Sequence, residues 1–389
     1  MRHAGNRFLD PVPFSNPTFT ARDPYTATLG IPISTKLRCS VEGTGGLFLS
    51  AGGDDKDIYL MTARHVVLPA HIDDNKEYYH QNNSKRSEEV IILGDNSFAH
   101  KLAAIDYQIR GQLSTITDAR ERIELVQGLD DLESVREYQE AGKSLEKAEK
   151  GMEELKALHH EIYTHWSGKE QRVFGELIWA PPITLSTEPG QYTLDLAVIK
   201  IYPGKLDAKN YLSNTINIGK TPSRQAFMDK IYLDGASPSS FKFPPNRLVK
   251  LQGQMPESAL FKQPLAMKDA NGEPCLVVFK NGARTGTTIG KANNVCSYTR
   301  NPFVGHSGYY ESRKWPVIPT DEGSGAFSAG GDSGSCVADA YSRVGGILTG
   351  GAGATPSTDV TYVTPISFIM KVLHDTKRFK RAHLNPALG

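Results

Sequence analysis

The stretch "AGGDSGSCV", residues 329–337, places Ser333 between glycines near the C-terminal end of the chain. Gly331 and Gly334 permit backbone conformations that are closed to other residues, and they leave room for a second chain to approach. A tight turn here would aim the amide N–H groups of Gly331 and Ser333 at one point, which is the geometry of an oxyanion hole. Taken alone, the stretch is also compatible with a flexible Gly/Ser loop.

A serine hydroxyl needs a base that accepts its proton before it becomes an effective nucleophile. Of the 11 histidines, most lie in polar, loop-like or helical segments, but His65 follows the apolar run "IYLMTA" (58–63) and precedes "VVLPA" (66–70). We therefore expect His65 at the end of a strand and select it as the candidate base. A histidine satisfied within the core is the alternative interpretation.

The imidazole of such a base needs a carboxylate that orients it and stabilises its charged form. Asp195 stands within the otherwise apolar run "YTLDLAVIKI" (192–201). Because a buried carboxylate is costly unless it is paired, Asp195 is more informative than the acids in polar segments. Asp106, in "LAAIDYQI" (102–109), is the competing candidate, but its segment is more polar.

The composition predicts a β-rich protein with no nucleic-acid partner. The 389 residues include 44 Lys+Arg and 43 Asp+Glu, so the chain has no surplus of positive charge for a phosphate backbone. The 36 glycines and 23 prolines favour many turns between short strands. No run reaches about 18 apolar residues, and no apolar signal-peptide core follows Met1. We therefore expect no membrane association and a cytoplasmic location.

Short apolar or β-branched runs separated by Gly and Asp predict the strands of an antiparallel sheet. The predicted strands lie at 34–42, 43–53, 57–67, 88–95, 101–109, 171–182 and 191–203, and more follow from 274 onward. Residues 114–166 differ, because apolar residues recur there at helical spacing in a Glu- and Lys-rich background. We predict an inserted helical hairpin at about 114–166, either a packing decoration or an element for partner binding or substrate access. A C-terminal amphipathic helix is predicted at about 366–379.

The four cysteines, Cys39, Cys275, Cys296 and Cys336, are scattered and form no C-x-x-C pair. A zinc site is therefore not expected, and nothing else in the sequence calls for a metal or cofactor. Cys275 and Cys296 flank a predicted hairpin and could face one another. We favour free thiols, with a disulfide between these two as the alternative.

Three motifs come in the order His, Asp, Ser: "TARHV" around His65, "DLAVIKI" at Asp195 and "GGDSGS" at Ser333. Together they resemble the chymotrypsin-like serine proteases (trypsin-like, PA clan), and more closely the intracellular and bacterial-type members than the secreted digestive ones. Four further segments resemble strands of that family: "GTGGLFL" (43–49), "VFKNGARTGTTIG" (278–290), "GGILTGG" (345–351) and "TYVTPI" (361–366).

The resemblance implies an all-β core of two packed six-stranded antiparallel β-barrels, with the inserted helical hairpin and the C-terminal helix as additions. It divides the chain into an irregular N-terminal arm (1–26), a first barrel (27–205) that carries His65 and Asp195, and a second barrel (206–389) that carries Ser333.

The resemblance also implies roles for the motif residues. Ser333 would be the nucleophile, His65 the general base and then general acid, and Asp195 the group that holds the His65 tautomer. The backbone amides of Gly331 and Ser333 would form the oxyanion hole.

The substrate-binding residues follow from the same resemblance. Thr349, Gly350 and Gly351 would bind the substrate backbone, and Phe327 and Ser328 would lie near the base of the primary specificity pocket. Since no Asp stands there, a pocket for Lys or Arg is not supported. The expected substrate side chain is neutral or apolar, and an acidic one, recognised with His306, is the second choice.

The resemblance implies a serine endopeptidase that acts on protein or peptide substrates and needs no metal or cofactor. A regulatory protein that binds at 114–166 is a further candidate partner. The alternative is a catalytically silent module of the same fold that binds peptides or proteins through its cleft or hairpin. Two departures from the family stand out. His65 and Asp195 are 130 residues apart, and no activation site follows Met1. Asp332 therefore needs a partner other than a cleaved N-terminus, or the chain resembles members that are active without cleavage.

Overall fold

The computed structural model describes residues 6–69, 73–80, 87–188, 190–232, 241–262, 264–265, 267–269, 271–302, 309–353 and 358–388. The strands are β1 Ile31–Thr35, β2 Glu42–Gly45, β3 Leu47–Ser50, β4 Ile58–Thr62, β5 Tyr78–Tyr79, β6 Glu89–Ile92, β7 Val173–Ala180, β8 Thr184–Thr187, β9 Tyr192–Leu194, β10 Ala197–Ile201, β11 Thr215–Asn217, β12 Leu248–Lys250, β13 Leu276–Gly282, β14 Gly286–Ala292, β15 Ser297–Pro302, β16 Tyr309–Pro319, β17 Cys336–Asp339, β18 Val344–Ala352 and β19 Val360–Pro365. The helices are α1 Phe19–Arg22, α2 Arg64–Val67, α3 Asp95–Val126, α4 Leu132–Trp166, α5 Lys169–Arg172, α6 Arg224–Ile231, α7 Glu257–Leu260 and α8 Ile366–Asp375.

The first barrel is built by the order β2-β1-β6-β7-β10-β4-β3, with antiparallel pairing throughout. β2 and β3 are separated only by Gly46, so they act as one bent strand. Because this strand pairs with β1 at one end and with β4 at the other, it nearly closes a six-stranded barrel. Its interior is apolar, as expected for strands that bury one face.

The second barrel follows the order β14-β13-β17-β18-β19-β16, and an additional pairing of β14 with β16 closes it. β9 pairs in parallel with β16, through Arg313 and Tyr192, while the next strand, β10, belongs to the first barrel. The chain therefore crosses from one barrel to the other between Leu194 and Ala197. These two antiparallel barrels are the chymotrypsin-like double β-barrel that the sequence predicts.

The helical insertion is longer than predicted. α3 begins at Asp95, so residues 101–109, predicted as a strand, are helical. The apolar residues Leu102, Ile105 and Ile109 are spaced by three and four, which is the period of a helix face. Ile105 is buried, and the partly buried Leu102 and Ile109 pack against the core, so this face explains the error.

Other predicted elements shift at their ends. The strand predicted at 34–42 is instead β1 and β2 with a loop between them, and α8 ends at Asp375 rather than near 379. The arm before β1 is mostly irregular and holds the short helix α1, with Phe8 and Tyr25 fully buried. The domain boundaries at 26 and 205 remain a proposal, since the pairing of β9 with β16 crosses the second one.

None of the four cysteines forms a disulfide bond in the structure, and Cys296 Sγ accepts a hydrogen bond from Arg313 Nε at 3.0 Å. The alternative of a Cys275–Cys296 disulfide is therefore wrong for this structure. In the described part of the chain, no helix combines the length and the apolar character needed to cross a membrane.

Candidate active site

His65 lies on the short helix α2, which begins directly after β4. The preceding residue, Arg64, is buried and anchors this turn. Its guanidinium donates to the carbonyl oxygens of Ala180 and Lys76, each at 2.8 Å, and pairs with Asp73 Oδ1 at 2.5 Å. The backbone that carries His65 is thereby fixed, while the imidazole remains 33% exposed.

Asp195 lies where the chain crosses between the barrels, and its side chain is only 7% exposed. Its Oδ2 lies 2.6 Å from His65 Nδ1, and its Oδ1 accepts the backbone N–H of His65 at 3.1 Å. A carboxylate in this position accepts from Nδ1–H, so the proton-accepting lone pair of the neutral ring is on Nε2. This is the tautomer that a general base for a serine requires.

The two groups shift each other's titration. The negative charge of Asp195 raises the pKa of His65 above its ordinary value, and burial opposes this effect only in part. Burial alone would raise the pKa of Asp195, but the charge of His65 and its hydrogen bonds outweigh burial, so the pKa of Asp195 is lowered. Asp195 is therefore ionised at neutral pH.

The loop with Ser333 lies directly against the first barrel. Gly331 and Gly334 have φ angles of +105° and +94°, a region that side chains rarely adopt. A Cβ on Gly46 would lie 1.9 Å from the Gly334 carbonyl oxygen, so only glycine allows this approach. Thr44 fixes the loop, because its N–H donates to Ser333 O at 2.8 Å and its hydroxyl to Gly331 O at 2.9 Å.

The same contacts bring the Ser333 loop close to the His65 turn. Thr62 is the last residue of β4, three positions before His65, and its hydroxyl donates to Thr44 O at 2.8 Å. Thr62 is also paired with Ala197, two positions after Asp195. The backbone of the Ser333 loop thus lies beside the strand that leads to His65, and that strand pairs with the one that follows Asp195. Among the described residues, no hydrogen bond joins the Ser333 hydroxyl to the His65 ring; such bonds often tighten only when substrate is bound.

Two amide groups of the loop remain available for a ligand. The N–H groups of Asp332, Gly334 and Ser335 donate to carbonyl oxygens at 3.0, 2.7 and 3.0 Å. The N–H groups of Gly331 and Ser333, on either side of Asp332, make no hydrogen bond within the described part of the chain. This alternation suits a pair of donors that converge on one oxygen.

Asp332 is fully buried and forms an ion pair with Lys280, which is also fully buried. Lys280 Nζ lies 3.2 Å from Asp332 Oδ2. Its carboxylate also accepts from Ala329 N, Arg284 N, Thr285 N and Thr285 Oγ1, at 3.0, 2.9, 3.1 and 2.7 Å. Burial would raise the pKa of Asp332, but Lys280 and these donors lower it. The partner that Asp332 needs is therefore supplied from within β13.

Lys314 is a second buried cation, and it lies on the Asp195 side of the site. Its ammonium donates to the hydroxyl of Thr193, which also hydrogen bonds to Ser312 Oγ at 2.7 Å. Burial lowers the pKa of Lys314 to about 8, while the charge of Asp195 acts in the opposite direction. The positive charge of Lys314 in turn lowers the pKa values of both His65 and Asp195.

The segment predicted at the base of the specificity pocket is held on both sides. Phe327 is buried, its carbonyl oxygen accepts from Thr288 Oγ1 at 2.7 Å, and its N–H donates to Asp359 Oδ2 at 2.9 Å. The Ser328 hydroxyl hydrogen bonds to Thr361 Oγ1 at 2.6 Å. The segment is therefore tied to both β14 and β19.

The predicted backbone-binding segment, Thr349–Gly351, forms part of β18 beside the segment with Phe327 and Ser328. A Cβ on Gly351 would lie 4.0 Å from Ser328 Oγ, so the two predicted sets of substrate residues are neighbours. Gly350 has open space where a Cβ would lie. The Thr349 hydroxyl reaches Thr364 Oγ1 at 3.3 Å. His306 lies outside the described residues.

The competing acid, Asp106, belongs to α3, where its Oδ1 lies 3.3 Å from His159 Nε2 on α4. It is thus paired within the hairpin rather than with His65. Within the described ranges, no group of three or more His, Cys, Asp or Glu side chains is arranged to hold a metal ion.

Sequence reasoning missed Lys280, Lys314 and Thr44. A signal existed for Lys280, because "VFKNGARTGTTIG" contains both Lys280 and Thr285, which contact Asp332. Thr44 also lay within a motif, "GTGGLFL", but nothing there indicates that its hydroxyl would hold the Ser333 loop. Lys314 stands in an ordinary strand sequence and carries no signal.

No known family model matches the chain, and neither does any curated protein. Solved structures with a similar fold include a glutamic-acid-specific serine protease, 11% identical, covering 89% of this chain and 97% of its own, with a TM-score of 0.39. They also include the Nocardiopsis protease NAPase, which is 11% identical, with 92% of this chain and 98% of its own covered and a TM-score of 0.37. The active form of a protease from M. tuberculosis is 13% identical, with 97% of this chain and 92% of its own covered and a TM-score of 0.33. The strand order and the closure of the two barrels give this chain the trypsin-like, PA-clan fold.

Proposed function

We propose that the protein is a serine endopeptidase that uses Ser333, His65 and Asp195. The observation that carries this proposal is the 2.6 Å contact between His65 Nδ1 and Asp195 Oδ2, at the seam where the Ser333 loop lies against the first barrel. A buried carboxylate that fixes one ring nitrogen and leaves the other free is what base activation of a serine requires. The two free amide groups of the loop supply the complementary oxyanion donors.

In the proposed reaction, Ser333 Oγ attacks the carbonyl carbon of the scissile bond while its proton passes to His65 Nε2. The N–H groups of Gly331 and Ser333 donate to the oxyanion that forms. As the C–N bond breaks, His65 returns the proton to the leaving amine, and an ester remains on Ser333. A water molecule, deprotonated by His65, then attacks this ester. The bond to Ser333 Oγ breaks, His65 returns the proton to Ser333 Oγ, and the carboxylic acid is released.

Peptide substrate would add as a strand to the edge of β18 at Thr349–Gly351, and the side chain before the scissile bond would reach Phe327 and Ser328. The Ser328 and Thr361 hydroxyls already bond to each other, and neither carries a charge. A neutral or apolar side chain therefore suits the pocket better than a cationic one.

The proposal is tested by incubating the protein with a diverse library of peptides of about 14 residues and identifying the products by mass spectrometry. An endopeptidase yields internal cleavage products that share one residue preference before the cleaved bond, and the Ser333→Ala variant yields none. Peptides that bind without being cleaved would support the silent binding module instead.

The pH dependence of cleavage depends on the free-base form of His65, so kcat/KM is expected to rise with pH through a midpoint above the ordinary histidine value of about 6.5. Because Lys314 lowers the pKa of His65, the Lys314→Met variant should move this midpoint to higher pH. pH profiles of kcat/KM for both proteins measure the shift.

The matched control for this test is Lys291→Met. Lys291 lies on β14 and pairs with Asp269 at 3.3 Å. Its removal should leave the midpoint unchanged. A Lys314→Met profile that loses height at every pH, with an unchanged midpoint, would mean that Lys314 only supports the structure.

A further inference from the structure

A cavity of about 520 Å³ lies beside the nucleophile loop, with Gly330 and Gly331 in its lining. Arg284, from the turn between β13 and β14, forms another part of it, and the first turns of α3 contribute His100 and Lys101. None of the residues proposed for the primary pocket or for strand addition is in this lining. The base of the helical insertion thus forms one wall of a second site next to the proposed oxyanion hole.

This wall is fixed to the first barrel. Arg172 is almost fully buried, and its guanidinium bonds to Asp95 Oδ1 at 2.6 Å and to Leu93 O at 2.5 Å. Lys169 adds a contact to the other oxygen of Asp95 at 3.0 Å. Since Asp95 is the first residue of α3, the turns with His100 and Lys101 start from a held position.

The charges of the cavity favour an anion. Lys101 and Arg284 have no hydrogen-bond or ion-pair partner for their side chains among the residues that the structure describes. Glu42 is the opposing acid, but its Oε2 already accepts from the Ser97 hydroxyl. Two permanent cations against one carboxylate leave a net positive lining.

Glu42 does not offer its second oxygen to a ligand in the cavity, because Oε1 is buried and lacks a hydrogen-bond partner among the described residues. What the cavity offers is therefore two cations for acidic side chains.

We propose that this cavity binds the part of the substrate that follows the scissile bond and that it selects acidic side chains there. The inference rests on the proposed endopeptidase function. If the acyl half of the substrate pairs with β18, the leaving half continues past the amide of Gly331. The lining residues Gly330, Gly331 and Arg284 meet it there, and Arg284 is held because its own N–H donates to Asp332 Oδ1.

The test uses internally quenched peptides. Up to the cleaved bond they share one sequence, taken from the library products, and at each of the three following positions they carry Asp, Asn or Lys. We expect the wild type to cleave the best Asp peptide roughly three- to tenfold faster than its Lys counterpart, as exposed charge pairs allow. The Arg284→Gln and Lys101→Gln variants should lower this ratio, and Arg284→Glu should invert it. Because the readout is a ratio on one protein, a general loss of activity does not imitate the effect.

Arg120→Gln is the control, since Arg120 also lies on α3 but pairs with Glu149 on the neighbouring helix. It should keep the wild-type ratio. Equal rates for Asp and Lys peptides with the wild type would overturn the inference. If the wild type cleaves neither these peptides nor 4-nitrophenyl acetate, the endopeptidase function itself is rejected. An acidic preference that survives in Arg284→Glu would place the recognition elsewhere and also overturn it.

Discussion

Replacing Ser333 or His65 by alanine is expected to lower kcat/KM for peptide cleavage by about 10⁴-fold or more, and the double variant should be no slower than either single variant. The nucleophile and its base act in one step, so once one is removed the other has nothing left to contribute. Steady-state kinetics on the three variants, with the peptide selected from the library, measure both the loss and its lack of additivity.

Ser114→Ala and His160→Ala are the matched controls, because both residues are exposed on the helical hairpin. Both variants should retain wild-type kinetics. This result would show that the loss of kcat/KM does not come from purification or from replacing any serine or histidine by alanine. Losses that multiply in the double variant would mean that Ser333 and His65 act independently, which contradicts a nucleophile and base in one unit.

Lys280→Met is expected to destabilise the folded chain by roughly 3–5 kcal/mol, because it leaves the charge of Asp332 buried without its cation. The same change should disturb the Ser333 loop, since Asp332 holds Ala329 N, Arg284 N and Thr285 through its two oxygens. Urea denaturation and peptide cleavage together report the two effects.

Three further variants keep this prediction testable if Lys280→Met fails to fold. Lys280→Arg retains the charge and should remain folded. Lys280→Met combined with Asp332→Asn removes both charges and should be more stable than Lys280→Met alone, yet still poorly active. Lys200→Met breaks the partly exposed ion pair with Asp57 and should cost no more than about 1 kcal/mol. An equal loss of unfolding free energy in Lys280→Met and Lys200→Met would mean that Lys280 does not stabilise the buried charge of Asp332.

The sequence was sufficient to predict the two barrels, because the motifs that resemble the family are local. The proposed triad was selected from the same motifs and stays a prediction. A histidine at the end of an apolar strand, an acid inside one and a serine among glycines can each be recognised within about ten residues. Short apolar or β-branched runs likewise mark β4, β7 and β13. The start of α3 was missed because residues 101–109 contain a short apolar run that fits a strand as well as a helix.

What the sequence did not reveal depends on contacts between distant segments. Lys280 and Asp332 are 52 positions apart, and their pairing arises only because β13 lies beside the nucleophile loop. The cavity next to Gly331 needs α3 and the turn with Arg284 to meet, and nothing local in either segment predicts that meeting. Lys314, on β16, approaches Asp195 only because the strand before Asp195, β9, pairs with β16 rather than with the first barrel.

The most direct test of an activated serine is labelling by a fluorophosphonate probe, followed by mass spectrometry of the tryptic peptides to locate the adduct. We predict a single adduct on Ser333 in the wild type, and no adduct in Ser333→Ala or His65→Ala. The absence of any Ser333 adduct in folded wild-type protein, or labelling that persists in His65→Ala at the wild-type rate, would contradict a His65-activated nucleophile.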